Sequence, residues 1–115
     1  MQHWIIDSDR IGLPSWHEAF PHAAIVSAAS QMRGLNKPRG VIWCRLRTDQ
    51  LLADVLNGVD FSLGHPVVVL SDEPDEELVM SALAAGAVGC CNSRAAPEVL
   101  RQVALAVGNG GLWIG

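Results

Sequence analysis

The chain has 115 residues, half of them apolar and 17% charged, with 8 Lys+Arg against 12 Asp+Glu for a net charge of -4. That length supports one domain around one core, and the apolar content excludes intrinsic disorder. The acidic balance speaks against a surface that grips nucleic-acid phosphates, and no apolar run approaches the roughly 18 residues of a membrane span.

Five short apolar runs punctuate the chain. His3-Trp4-Ile5-Ile6 ends at Asp7-Ser8-Asp9, and Ala23-Ala24-Ile25-Val26 follows Pro21. Val41-Ile42-Trp43-Cys44 follows the breakers Pro38 and Gly40. Pro66-Val67-Val68-Val69-Leu70 ends at Ser71-Asp72-Glu73-Pro74, and Val88-Gly89-Cys90-Cys91 follows Gly86. Continuous runs without alternation suit strands buried on both faces. Helical spacing appears between them. Thr48 through Leu56 carries Leu51, Leu52, Val55 and Leu56 with Thr48 as N-cap, and Asp75 through Ala85 opens on three acids that suit a helix dipole. Pro97 stands at a first helical position, followed by Val99, Leu100, Val103 and Val107, and Gly108-Gly111 is expected to end that helix. Segments 10–20 and 27–36 are poorer in helix signals, because Pro14, Pro21 and Gly34 interrupt them. Strands alternating with helices predict an α/β domain with a parallel sheet, whose chemistry collects at the carboxyl ends of the strands.

Cys44, Cys90 and Cys91 are an odd number without metal spacing, so buried thiols in a reducing compartment are expected. Redox sensing is the rival expectation, with Arg45 lowering the pKa of its neighbour Cys44. His3, His17, His22 and His65 are scattered without ligand spacing, and Trp4 and Trp43 fall inside strand runs. The Met1-Gln2-His3-Trp4 start lacks a secretory pattern, which implies a soluble, cytoplasmic chain.

The run Pro66–Ser71, the acidic helix start, Ala85-Gly86-Ala87-Val88-Gly89, Ala95-Ala96-Pro97-Glu98 and Gly110-Gly111-Leu112-Trp113-Ile114 resemble a response-regulator receiver domain. The ending is similar to that of NarL/LuxR-type transcription regulators. The likeness is strongest over 66–115 and weakest over 11–39, where the chain is short. It implies a flavodoxin-like, doubly wound, five-stranded parallel sheet of order 2-1-3-4-5 with a shortened first or second helix. It also implies a helix-turn-helix domain following residue 115 in the parent protein.

Active receivers take a phosphoryl group onto an aspartate ending the third strand. An acidic pair holds Mg²⁺, while a Ser/Thr and a Lys end the fourth and fifth strands; metal and Lys neutralise the charge that grows on the phosphoryl oxygens. By this resemblance the acidic pair falls on Asp7 and Ser8, with Asp9 one residue late, and the acceptor position falls on Arg45. Ser71 takes the hydroxyl position, Ser93 the Lys position and Cys90 the aromatic switch position. An arginine cannot accept a phosphoryl group as an acyl phosphate and repels Mg²⁺, so no cofactor and no catalysis are expected. The arginines Arg10, Arg45, Arg47 and Arg94 instead follow predicted strands, and Arg45 is expected to pair with Asp7 or Asp9.

The resulting expectation is a pseudo-receiver, a non-catalytic regulatory module that self-associates or meets a partner protein through residues 75–107. Val79, Leu83, Arg101 and Leu105 are its candidate contacts, and DNA is reached only through a separate domain. One alternative is a small-ligand or anion sensor using the arginine-rich carboxyl edge. A second is a phosphorylatable receiver.

Overall fold

The computed structural model describes residues 1–36 and 39–114; Pro38, one of the breakers named above, and Gly115 lie outside the described residues. Five strands form one parallel sheet: β1 (Gln2–Ile6), β2 (Ala24–Val26), β3 (Gly40–Leu46), β4 (Val67–Ser71) and β5 (Gly89–Asn92). Their spatial order is β2-β1-β3-β4-β5, as the resemblance implied. Helices α1 (Pro14–Ala19), α2 (Leu52–Leu56), α3 (Glu76–Ala84) and α4 (Pro97–Gly108) lie in the crossovers and after the last strand.

Alternation along each strand divides the core in two. Trp4, Ile6, Ile42, Cys44, Val67, Val69 and Cys90 pack on one face, beneath α2 and α3. Ile5, Val41, Trp43, Val68, Leu70 and Cys91 pack on the other, with Trp16 of α1 and Leu100, Val103 and Val107 of α4. Burying strands on both faces explains why their sequences are continuously apolar.

Both early crossovers are short. α1 has six residues, and among its described residues the link from β2 to β3 keeps one 3-10 turn, Ala29–Gln31. The missing helix is replaced by side-chain anchors. The Trp4 indole N–H donates to the Arg33 carbonyl at 2.7 Å, and the His65 ring meets the Leu35 carbonyl at 2.6 Å.

Two expectations are corrected. β3 extends to Leu46 and therefore contains Arg45, which was placed after the strand. Thr48 caps nothing: α2 begins at Leu52, because residues 47–50 close a turn in which Gln50 accepts the Arg47 N–H at 2.9 Å and donates its own N–H to the Arg47 carbonyl. The expected helix over 75–85 spans Glu76–Ala84, with the Asp75 carboxylate accepting the Leu78 N–H as N-cap. No helix among the described residues is long and apolar enough to cross a membrane.

Gly40 faces Trp4 so closely that a Cβ there would run into the indole ring, which is itself fully buried. Gly40→Ala should therefore lower stability by about 1–3 kcal/mol, the usual cost of overpacking, read as a lower midpoint in urea. His3 stacks on Phe20 at 3.9 Å, and its Nδ1 accepts the Trp43 indole N–H at 3.0 Å. Burial, with a smaller push from the N-terminal ammonium, lowers its pKa from 6.5 to about 4. A depressed histidine favours the fold above its unfolded pKa. Stability should thus fall between pH 6.5 and pH 4, as the unfolded chain takes up a proton that the folded chain refuses. Urea midpoints across that range should show the slope, and His3→Gln should flatten it.

Candidate functional site

The carboxyl ends of β1, β3, β4 and β5 bring two ion-pair clusters to one edge of the sheet. In the first, Arg47 reaches from just beyond β3 to the turn after β1. Its Nη2 lies 2.9 Å from Asp7 Oδ1 and 2.8 Å from Asp9 Oδ2. Asp7 is buried, and its second oxygen accepts the Gly12 N–H at 3.3 Å. The turn that presents these acids closes through the Arg10 N–H donating to the Asp7 carbonyl, with Arg10 in the left-handed region at φ 58°. The Asp7 hydrogen bond, with the charges of Asp7, Asp9 and Asp49, holds the Arg47 guanidinium more firmly protonated than usual.

The second cluster centres on Arg45, which is only 4% exposed. Its Nη2 donates to both carboxylate oxygens of Asp72, at 3.0 and 3.1 Å. The Ser93 hydroxyl donates to the same carboxylate, and Arg94 Nε stands 4.0 Å away. The hydrogen bond from Ser93, followed by the charge of Arg45, holds the Asp72 carboxyl below its usual range. The Arg45 guanidinium carbon lies 5.5 Å from the centre of the Trp16 ring, and the Trp16 indole N–H donates to the Ser93 carbonyl at 2.8 Å. A desolvated cation over an indole face adds roughly 1–2 kcal/mol. The Nε atoms of both Arg45 and Arg47 are buried without a hydrogen-bond partner.

The expected Arg45 pairing is therefore corrected. Asp7 and Asp9 belong to Arg47, and Arg45 belongs to Asp72. Arg45 lies beside Leu70 in the β3–β4 register, two residues short of Asp72, so its side chain turns toward β4. Asp72 is the site residue that sequence reasoning passed over. Its signal was present in the strand-ending run Ser71-Asp72-Glu73, opposite a strand that ends in an arginine.

The other proposed positions are spread along the same edge. Ser8 is exposed in the β1 turn. Ser71 is buried and accepts the Glu73 N–H at 3.2 Å, bracing the turn that carries Asp72. Ser93 is fully buried and takes part directly. Cys90 stands apart from this edge, within β5. Cys44 points to the opposite face from Arg45, and burial pushes its thiol up to about 12, against the expectation that Arg45 lowers it. Burial likewise pushes the Cys90 thiol up to about 11.

These residues do not fit a divalent cation of the kind that receivers bind. Asp7 and Asp9, the only carboxylates offered by the β1 turn, share one guanidinium, and Asp72 is engaged by a second. A hard cation needs several free oxygen ligands.

Three solved structures that superpose on this chain are response regulators. Response regulator ChrA of a haem-sensing two-component system superposes with a TM-score of 0.66 at 21% identity, over 97% of this chain and 58% of that one. DrrB, an OmpR/PhoB homologue from Thermotoga maritima, gives 0.64 at 16% identity, over 96% of this chain and 54% of that one. A response regulator protein from Burkholderia multivorans gives 0.61 at 14%, covering 92% and 93% of the two chains. The fold is the receiver fold. No family model matches the chain. No curated protein matches it either. The chain spans little more than half the length of ChrA and DrrB.

Removing one partner of the Arg45–Asp72 pair should be asymmetric. Asp72→Ala leaves a buried guanidinium uncompensated and should cost about 2–3 kcal/mol, below the full cost of a sealed pair because Asp72 is 33% exposed. Arg45→Met should cost less, since water can reach the abandoned carboxylate. Equal losses in urea denaturation would contradict the asymmetry.

Proposed function

We propose that this receiver is a regulatory, protein-interaction module that works without phosphoryl transfer, within a cytoplasmic bacterial transcription regulator of NarL/LuxR type. The observation that carries this reading is Arg45. The position that the resemblance gives to the acceptor aspartate carries a buried cation chelated by Asp72. The acids that would hold Mg²⁺ are bridged by Arg47. Internal ion pairs thus occupy the places of both metal and phosphoryl group. The turn after β4 is tied down by Arg45 and Ser93. The domain holds one setting of this edge and is read by partner proteins, with DNA contacted through a separate helix-turn-helix.

Incubation with acetyl phosphate and Mg²⁺ should leave the intact mass unchanged, without the ~80 Da gain of phosphorylation. A gain that disappears on Asp72→Asn or Asp7→Asn would overturn the reading. The anion-sensing alternative draws on the same arginines, yet their charge is already met by Asp7, Asp9 and Asp72. Inorganic phosphate at millimolar concentration should accordingly leave the melting temperature in place, whereas a saturable rise would favour that alternative.

A further inference from the structure

The amino ends of β1, β3, β4 and β5, opposite the edge that carries the ion pairs, surround an open cavity of about 470 Å³. Met1, Val88 and Val107 give it apolar walls. The Phe61 ring borders it and lies over Gly86, where a Cβ would come within 3.1 Å of the ring. The segment after α4 closes one side. Its Gly111 N–H donates to the Ala106 carbonyl at 2.9 Å, and its Trp113 N–H to the Val88 carbonyl at 3.0 Å, beside β5 at Gly89. None of the contacts expected on α3 and α4, Val79, Leu83, Arg101 and Leu105, lines this cavity.

Two polar side chains join the lining. Arg39 is exposed, and its own carbonyl accepts the Gln2 N–H at 3.2 Å, which anchors its backbone at the rim. It is the one arginine or lysine among the described lining residues, and none of them is acidic in a chain of net charge -4. Asp60, beside Phe61, turns its carboxylate to the Ser62 N–H and hydroxyl. His65 is 8% exposed, with its ring 5.0 Å from that of Trp4. Its Nε2 lies 2.6 Å from the Leu35 carbonyl, which can only accept, so Nε2 carries the proton. In the neutral ring Nδ1 is then a lone-pair acceptor, without a partner among the described residues.

We infer that this cavity binds a planar aromatic monocarboxylate that carries a ring N–H. Its volume falls within the roughly 300–1,000 Å³ of small-molecule sites, which combine apolar walls with a few convergent polar groups. The Arg39 fork suits a carboxylate, and one cation without a neighbouring acid suits a single negative charge. The His65 Nδ1 lone pair suits an N–H donor. Gly64 and Gly110 front open space, since a Cβ at either would meet nothing within 4 Å. Bare backbone of this kind lets a flat ring approach closely, and Phe61 offers an aromatic face or edge to pack on it. A nucleotide is the poorer occupant, because its phosphates bring more charge than one guanidinium meets. Such a ligand gives the domain a chemical input remote from Arg45, and the site stands whether or not phosphoryl transfer occurs at the other edge.

Calorimetric titration of the whole chain with indoleacetate should show saturable binding at a single site. Indoleacetamide lacks the charge and should bind roughly ten-fold more weakly. Arg39→Gln, at an exposed position, should weaken indoleacetate binding by the same factor. Naphthylacetate lacks the N–H, leaves His65 Nδ1 unpaired and should bind about five-fold more weakly. With indoleacetate the amide NMR signals of Gly64, Gly86 and Gly110 should move, while those of Asp72 and Ser93 stay in place. Absence of saturable binding at millimolar indoleacetate overturns the inference. So does equal affinity for indoleacetate and either analogue, or of wild type and Arg39→Gln. Shifts centred on Asp72 and Ser93 overturn it too, because they put the ligand on the arginines of the carboxyl edge. None of these outcomes bears on the acetyl phosphate result, which tests the regulatory reading separately.

Discussion

A guanidinium buried near the end of a central strand governs the carboxyl edge. Moving a charge out of water is so costly that a native fold tolerates it only when the charge is paired and hydrogen-bonded. Arg45 meets that requirement with a carboxylate from the turn after β4, itself held by a serine at the end of β5, beneath an indole from α1. One unavoidable electrostatic demand therefore ties together β3, two loops and a helix. In the neighbouring pair the buried charge is Asp7 of the β1 turn, which the half-exposed Arg47 meets. The turns after β1 and β4 are each tied to one of these two cations, and Ser93 joins through Asp72.

Much of the architecture was legible because strands buried on both faces write themselves as continuous apolar runs. The two late helices carry the plainest local signals: the Asp75 cap and first-turn acids of α3, and the Pro97 start of α4. Reading failed where tertiary contacts replaced local ones. Nothing in the pattern around Thr48 reveals that Gln50 closes a turn and delays α2. The link from β2 to β3 is held by Trp4 and His65, distant in sequence from the carbonyls they engage. The site was half legible: composition and order placed arginines at the acidic edge, whereas partner choice depended on inter-strand register. Arg45 and Arg47 stand two residues apart, and only the register with β4 assigns Asp72 to the first of them. The amino-edge cavity was missed because its lining comes from stretches far apart in the chain, such as Met1, Arg39, Phe61 and Gly110.

The two edges of the sheet bear on how the domain behaves at high concentration. An open edge exposes unpaired ladder groups that template further strands and lead to aggregation. Here β2 offers only three residues, too short a run to seed a stable pairing. The opposite edge is engaged at Gly89 by the chain's own Trp113. The sheet is blunted at one end and clasped at the other, which discourages growth into a shared β-structure. Association is thereby directed to side chains on its helices, where charge and shape discriminate between partners and backbone hydrogen bonds do not.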